Sequence, residues 1–332
     1  MGERVLVTGG TGVVGGAAAR ALRAAGWEVV SLQRGPLSPD LAALGVIEAR
    51  GDVTNAASVA QALQGIEAVV HAAARVDITG PWEDFERINV GGTRTVLAAA
   101  EGAGVRRFVF VSSPSVAHAG RPLVGAGADP ADPDSARSSY ARSKAMAELL
   151  ALAADRPGFA VTAIRPHLVW GPGDTQLTGR IIERARAGRL VLIGSGAALI
   201  DTTYIDNAGE ALAAAVSRAA DEAVHGRAFV VSNGEPRTVA EMLTRIARAG
   251  GAPGPSRSVP YPIARAGGRV LEGYWGRAGR EGDPPVTAFL AEQLATAHWF
   301  DQRQTRQALG WSPRVSLDEG FRLLALGAPA GA

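Results

Sequence analysis

Short apolar runs alternate along this chain with longer stretches in which apolar residues recur every three or four positions. The first run, VLVT at 5–8, leads through a glycine-rich turn into a helical pattern that continues to Ala25. Further strand-like runs fall at 28–32, 46–49, 68–71, 108–112 and 161–165, with another helical pattern near 58–63. A β-α-β-α order of this kind requires a parallel sheet with right-handed crossovers. The run FVFVSS, ending at Ser113, reads as a central strand buried on both faces. Beyond Pro166 the texture changes: WGPGD introduces a loop and a helix, DTTYIDNAGEALAAAV a further helix, and AFVVSN one more strand of the first sheet. From Gly234 onward, glycine and proline interrupt short helices and no strand period is visible. The pattern predicts a doubly wound parallel α/β sheet over 1–166, with return segments near 201–233. A smaller, interleaved cap over 167–332 is expected to close the crevice beyond the carboxyl ends of the strands.

Composition narrows the class. The 332 residues are 47% hydrophobic and 20% charged, ordinary values for a folded globular chain. No stretch approaches the roughly 18 consecutive apolar residues of a membrane span. The N-terminus runs straight into a strand without signal-peptide architecture, and Leu6 stands where a myristoylation site wants Ser or Thr, so a cytoplasmic protein is expected. The net charge of +2 comes with arginines spread along the whole chain, which reads as solvated surface and predicts no nucleic-acid partner. Zero cysteines exclude disulfides and a thiolate nucleophile. The five histidines, His71, His118, His167, His225 and His298, lack ligand spacing, so no metal is expected.

The glycine turn TGGTGVVG places Gly9, Gly12 and Gly15 where backbone must turn tightly, approach a pyrophosphate and let helix pack on strand. With Thr11, Val13 and Val14 it forms the turn of a Rossmann-type dinucleotide site, whose phosphates meet the positive end of the helix. At the end of the second strand, Gln33 stands where NAD enzymes carry a ribose-binding Asp or Glu, and Arg34 follows. A carboxylate there would repel a 2′-phosphate and an arginine can pair with it, so NADP(H) is expected over NAD(H). Asp52, with Val53, is assigned to the adenine edge, and His71, Ala72 and Ala73 pass close to the cofactor. Pro166 and His167 are assigned beside the nicotinamide.

Tyr140 and Lys144, four residues apart, share one face of a helix. A carbonyl that accepts hydride needs a proton at its oxygen, and a tyrosine supplies one when a neighbouring cation lowers its pKa. Lys144 would supply that field and bond the nicotinamide ribose, and Ser113, at its strand end, would hold the substrate oxygen.

The glycine run, NVGGT from Asn89, Ser113, Tyr140 and Lys144 occur in an order that resembles the extended short-chain dehydrogenase/reductase superfamily across essentially the full length. The resemblance implies the roles just given for Ser113, Tyr140 and Lys144, with Asn89 as the fourth member, positioning active-site backbone. It also implies a homodimer formed through helices near 93–103 and 140–154. RPHLVWGPGD, DTTYIDNA, SNGEP, PPVTAFLAEQLATAHWF and LGWSPRVSLDEG resemble the 3β-hydroxysteroid dehydrogenase/isomerase branch, and within it the reductases of bacterial olefin and β-lactone biosynthesis. That likeness implies NADPH-dependent reduction of the 3-oxo group of a 2-alkyl fatty acid. A sterol 3-hydroxyl is the alternative substrate. A nucleotide-sugar enzyme would need polar sugar and diphosphate contacts, whereas this cap is aliphatic and aromatic. A non-enzymatic NADP sensor would normally have lost Tyr140 or Lys144, and both are present.

Some segments stay open at this level. The loop 117–139 before the tyrosine is where such proteins set substrate selectivity, and Pro114 stiffens its entry. The segment 261–280 mixes aromatics, aliphatics and arginines, which suits a membrane surface, a lipid tail, a substrate carboxylate, or simply a cap helix packed on the sheet domain. His167 either touches substrate or fixes its loop, and Tyr204 and Asp206 are expected to cap and anchor the helix they begin. Expected partners are a hydrophobic small molecule and, weakly, a membrane surface or neighbouring pathway enzymes.

Overall fold

A computed structural model describes residues 3–77, 79–118, 120–278 and 284–327. Seven parallel strands form the central sheet: β1 (Arg4–Thr8), β2 (Glu28–Gln33), β3 (Ile47–Arg50), β4 (Ala68–His71), β5 (Arg107–Val111), β6 (Ala160–Pro166) and β7 (Ala228–Val231). Their spatial order is β3-β2-β1-β4-β5-β6-β7, so the strand order reverses between β1 and β4, where doubly wound sheets bind ligands. The return of AFVVSN is seen in β7, which pairs with β6 at the sheet edge.

The period-two pattern of the central strands feeds two cores. Val5 and Val7 face the helices Val13–Ala24 and Ile205–Arg218, while Leu6 faces Ala56–Ala62, Gly92–Gly102 and Ser139–Leu152 on the other side. Both faces are covered, which is why β1 is apolar at successive positions. The helices Val13–Ala24 and Ile205–Arg218 touch nearly backbone to backbone, and a Cβ at Gly209 would stand 2.4 Å from the Ala17 carbonyl oxygen.

The cap differs from the expectation of short helices with no strand period from Gly234 onward, and it holds strands between Pro166 and Gly234 that were not expected. A second, four-stranded sheet runs in the order Arg237–Thr238, Leu199–Ile200, His298–Phe300, Leu123–Ala126, and two further strand pairs are Val169–Trp170 with Thr203–Tyr204 and Leu192–Ile193 with Ser258–Val259. Strands of two or three residues are too short for alternation to register in sequence. The supposed loop before Tyr140 is likewise more ordered than expected, since Leu123–Ala126 crosses to pair with His298–Phe300. Of the segment 261–280, the helix Tyr261–Arg277 packs on its cap neighbour Ala288–Ala295 and turns Ile263, Val270 and Tyr274 outward, while residues 279 and 280 lie outside the described residues. Among the described residues, no helix is long and apolar enough to cross a membrane.

Candidate active site

The glycine turn has the geometry its composition demands. Gly9 adopts φ +76°, and a Cβ on it would lie 2.8 Å from Ala73 Cα. A Cβ at Gly15 would lie 2.2 Å from the Gly9 carbonyl oxygen. Gly12 opens the helix Val13–Ala24 without any side-chain cap, and it is exposed together with Thr11. The first-turn N–H groups are therefore left for an anion. Val13 and Val14 are half-buried beside it. Buried Gln33 accepts a hydrogen bond from Ser31 Oγ, while its Nε2 has no partner. Arg34 is exposed at the tip of the same strand. An uncapped helix start, a turn that admits no side chain and an orphaned amide donor all suit a dinucleotide.

Asp52 spends one carboxylate oxygen on its own turn, accepting from the N–H and Oγ1 of Thr54. That backbone bond, with Arg34 and Arg87 nearby, holds the carboxyl below its usual range. Val53 is buried beneath it, against Gly92.

His71 differs from expectation. Its ring points inward, with Nδ1 2.8 Å from Thr8 Oγ1 and Nε2 3.1 Å from Thr93 Oγ1. Thr93 Oγ1 donates to the Asn89 carbonyl, so it accepts from Nε2–H, and Nδ1 in turn accepts from Thr8. The Thr8 oxygen is then free to accept from Ala73 N–H, as observed. This fixes a neutral Nε2–H tautomer, and burial followed by the Lys144 charge lowers the His71 pKa to about 3. The side chain belongs to the scaffold; only backbone at 71–73 faces the crevice, with Ala72 and Ala73 half-buried.

The same network reaches the tyrosine helix. Asn89 lies in a π-helical turn, Glu86–Gly91, of the kind often found at functional sites. Its amide bonds both backbone groups of Arg75 and donates to Ser143 Oγ at 2.8 Å, and Ser143 Oγ donates to the Tyr140 carbonyl. Asn89 thus bonds well beyond its own turn. The NVGGT motif pointed to Asn89, whereas Thr8, Thr93 and Ser143 were not singled out by the sequence.

Ser113 begins the one-turn helix Pro114–Ala117, and its Oγ lies 2.9 Å from Ser115 Oγ. Burial raises the pKa of Tyr140, opposed only by the nearby Ser113 hydroxyl. The expected lowering by Lys144 is absent because Lys144 Nζ is turned to the Val111 carbonyl at 2.5 Å, above the Phe110 ring. Burial drops Lys144 itself to about 7, opposed by Glu148 one turn on. Glu148 forms a buried ion pair with Arg165 of β6, whose remaining donor holds the Asp129 carbonyl of the pre-tyrosine loop.

Pro166 and His167 are buried at the end of β6. His167 Nδ1 bonds the Asp201 carbonyl and its ring packs on His298 and Phe300, so it fixes the loop. Leu168, directly after it, has φ +44°, the single left-handed non-glycine residue among the described residues. Tyr204 takes the N-cap position of the helix Ile205–Arg218 and Asp206 lies in its first turn, but the Tyr204 side chain makes no capping bond: Asn233 Oδ1 accepts from Tyr204 N–H and Asn207, a tie that only the fold makes. Among the described residues no acidic or histidine cluster could hold a metal ion.

Comparison with known proteins agrees with this geometry. The profile of the family described as NAD dependent epimerase/dehydratase matches residues 5–232. The chain is 40% identical over 324 residues to a 2-alkyl-3-oxoalkanoate reductase of Stenotrophomonas maltophilia, covering 97% of this chain and 98% of that one. It is 33% identical over 332 residues to a 3 beta-hydroxysteroid dehydrogenase/Delta 5-->4-isomerase of Mycobacterium tuberculosis, covering 96% and 88%. The solved structure of MoeE5 in complex with UDP-glucose and NAD superposes with a TM-score of 0.73 at 26% identity, over 98% of both chains.

Proposed function

The chain belongs to the NAD dependent epimerase/dehydratase family, within the extended short-chain dehydrogenases/reductases, as an NAD(P)-dependent oxidoreductase, and from that premise we propose that it reduces the 3-oxo group of a 2-alkyl-3-oxo fatty acid with NADPH. The observation that carries the substrate class is the end-to-end likeness to a 2-alkyl-3-oxoalkanoate reductase, in a chain that keeps Ser113, Tyr140 and Lys144 together.

When bound, the nicotinamide supplies the hydride. Ser113 and Tyr140, whose hydroxyls lie near each other, present two hydroxyls to the substrate oxygen. The raised pKa keeps Tyr140 protonated at neutral pH, as an acid must be, and the alkoxide formed at C3 is the stronger base and takes the proton. Tyr140 stands in the first turn of Ser139–Leu152, where the positive helix end favours the phenolate left behind. Asn89 and Ser143 hold that turn in place. Exposed Arg34, with Gln33 in place of a carboxylate, supports the 2′-phosphate of NADPH.

The second reading, oxidation of a 3β-hydroxysteroid, rests on the mycobacterial relative and uses the same three residues. One experiment separates them. Purified protein is given a long-chain 2-alkyl-3-hydroxy acid or a 3β-hydroxysteroid, each with NADP⁺ or NAD⁺, and reduced cofactor is followed. Turnover of the hydroxy acid with NADP⁺ is expected; turnover of the steroid alone overturns the substrate reading, and turnover with NAD⁺ alone overturns the cofactor preference.

A further inference from the structure

Where the pre-tyrosine loop meets the cap, three polar side chains converge without completing one another. Arg137 lies three residues before Tyr140 and donates from Nη2 to Glu292 Oε2 at 3.0 Å. Its Nε and Nη1 have no hydrogen-bond partner among the described residues, and its side chain is 40% exposed. Glu292, on the cap helix Ala288–Ala295, is buried, and its other oxygen has no hydrogen bond. His118, at the end of the turn begun by Ser113, is buried with neither ring nitrogen bonded, and its Nε2 lies 3.7 Å from Glu292 Oε1, beyond hydrogen-bonding reach. Whichever tautomer it adopts, one of those nitrogens carries a proton with no acceptor. Gly120 packs closely against two of these side chains: a Cβ there would stand 3.0 Å from Glu292 Oε1 and 3.3 Å from Arg137 Nε, and its φ of +77° suits glycine.

His118 is a buried donor without an acceptor, and exposed Arg137 beside it has two donor nitrogens uncommitted, so both can take an acceptor from outside the chain. Glu292 holds one corner of the guanidinium and so aims the rest, and guanidinium geometry matches a carboxylate in two-pronged fashion. The spot also lies just outside the N-terminus of the 14-residue helix Ser139–Leu152, whose positive end favours an anion. Two other arginines of this region are committed: Arg75 to Asp77 and Asp84, and Arg165 to Glu148.

We propose that Arg137 and His118, with Arg137 oriented by Glu292, form the subsite for the carboxylate of an acidic substrate. This rests on the reading of the substrate as a 2-alkyl-3-oxo acid, and it predicts that the acid is preferred to its neutral ester. Reading binding instead of turnover keeps the two ideas separable. The probes are 2-hexyldecanoic acid, which has no oxo group to reduce, and its methyl ester, titrated against NADP⁺-loaded protein. Wild type is expected to bind the acid more tightly, and R137Q to lower the acid-to-ester affinity ratio about 30-fold. Because R137Q strands Glu292 without its partner, R137Q/E292Q is titrated beside it, with NADP⁺ binding as the check of folding. A ratio unchanged in both variants, or a wild type that prefers the ester, overturns the subsite. Loss of the acid preference in both variants upholds it even if turnover is found with steroid alone, an outcome that removes only the reductase reading.

Discussion

Two buried histidines show how differently the two regions of this molecule are finished. His71, under the central sheet, has both ring nitrogens bonded and its tautomer dictated by a chain of partners from Thr8 to Tyr140. His118, at the seam with the cap, is equally buried and bonds nothing through its ring. Burial alone therefore says little about purpose; what matters is whether the polar atoms find partners inside the chain. Where they do, the group is scaffold, as in the network that sets the tyrosine helix. Where they do not, as at His118, Glu292 Oε1 and Gln33 Nε2, the polar atoms are buried without a hydrogen-bond partner and the group is not explained by the scaffold alone.

The comparison can be broken at several points. The largest effect is expected from Tyr140→Phe, which removes the proton donor and should cut turnover by about 10²–10⁴-fold while NADPH binding stays near wild type; turnover within tenfold of wild type refutes the donor role. Next is the buried ion pair. Arg165→Met leaves Glu148 charged and unpartnered, and should cost about 3–5 kcal/mol in urea denaturation. E148Q/R165M should recover most of that loss, and a double variant as unstable as the single would mean that packing, not charge, holds this corner.

Thr93→Val cuts the His71 network in its middle, stranding an Nε2–H and a carbonyl, for an expected loss of about 1–3 kcal/mol. His118→Leu loses no hydrogen bond and should stay within about 1 kcal/mol of wild type. A larger penalty at His118 than at Thr93 would reverse the contrast between the regions.

The subtlest test is of pH. Lys144 is charged only below about 7, so kcat/KM for NADPH, which reports the free protein, should fall as pH rises through that value. Glu148 holds that pKa up, so Glu148→Gln should move the falling limb to lower pH, and an unmoved limb would assign it to another group. The stability linkage has a matching sign. Between about 7 and 10.5 the unfolded chain keeps a proton on Lys144 that the folded protein has shed, so folding is favoured increasingly as pH rises across that window.

Most of the central sheet was legible in the sequence, since the buried parallel strands β1, β2 and β4 to β7 carry apolar runs, while the edge strand β3 is short and largely exposed. The cap was not: strands such as Leu199–Ile200 and Arg237–Thr238 hold two residues each, and their partners lie dozens of residues away. The glycine turn, Ser113, Tyr140 and Lys144 were readable because their chemistry sits on short spacings. The reading failed where a side chain's direction mattered, as with His71 pointing inward and the cap of Ile205–Arg218 coming from Asn233.

By itself, then, the sequence determined what depends on near neighbours: strand and helix periods, the turn that admits no Cβ, and a phenol and an ammonium one helical turn apart. Tertiary structure decided what depends on distance and burial between remote residues. It brought His118, His167 and His298 to one seam although no spacing links them. It turned Lys144 to Val111 and so withheld from Tyr140 the lowered pKa that spacing suggested. Electrostatic influence depends on distance and on the loss of water around each charge, and neither is written along a chain.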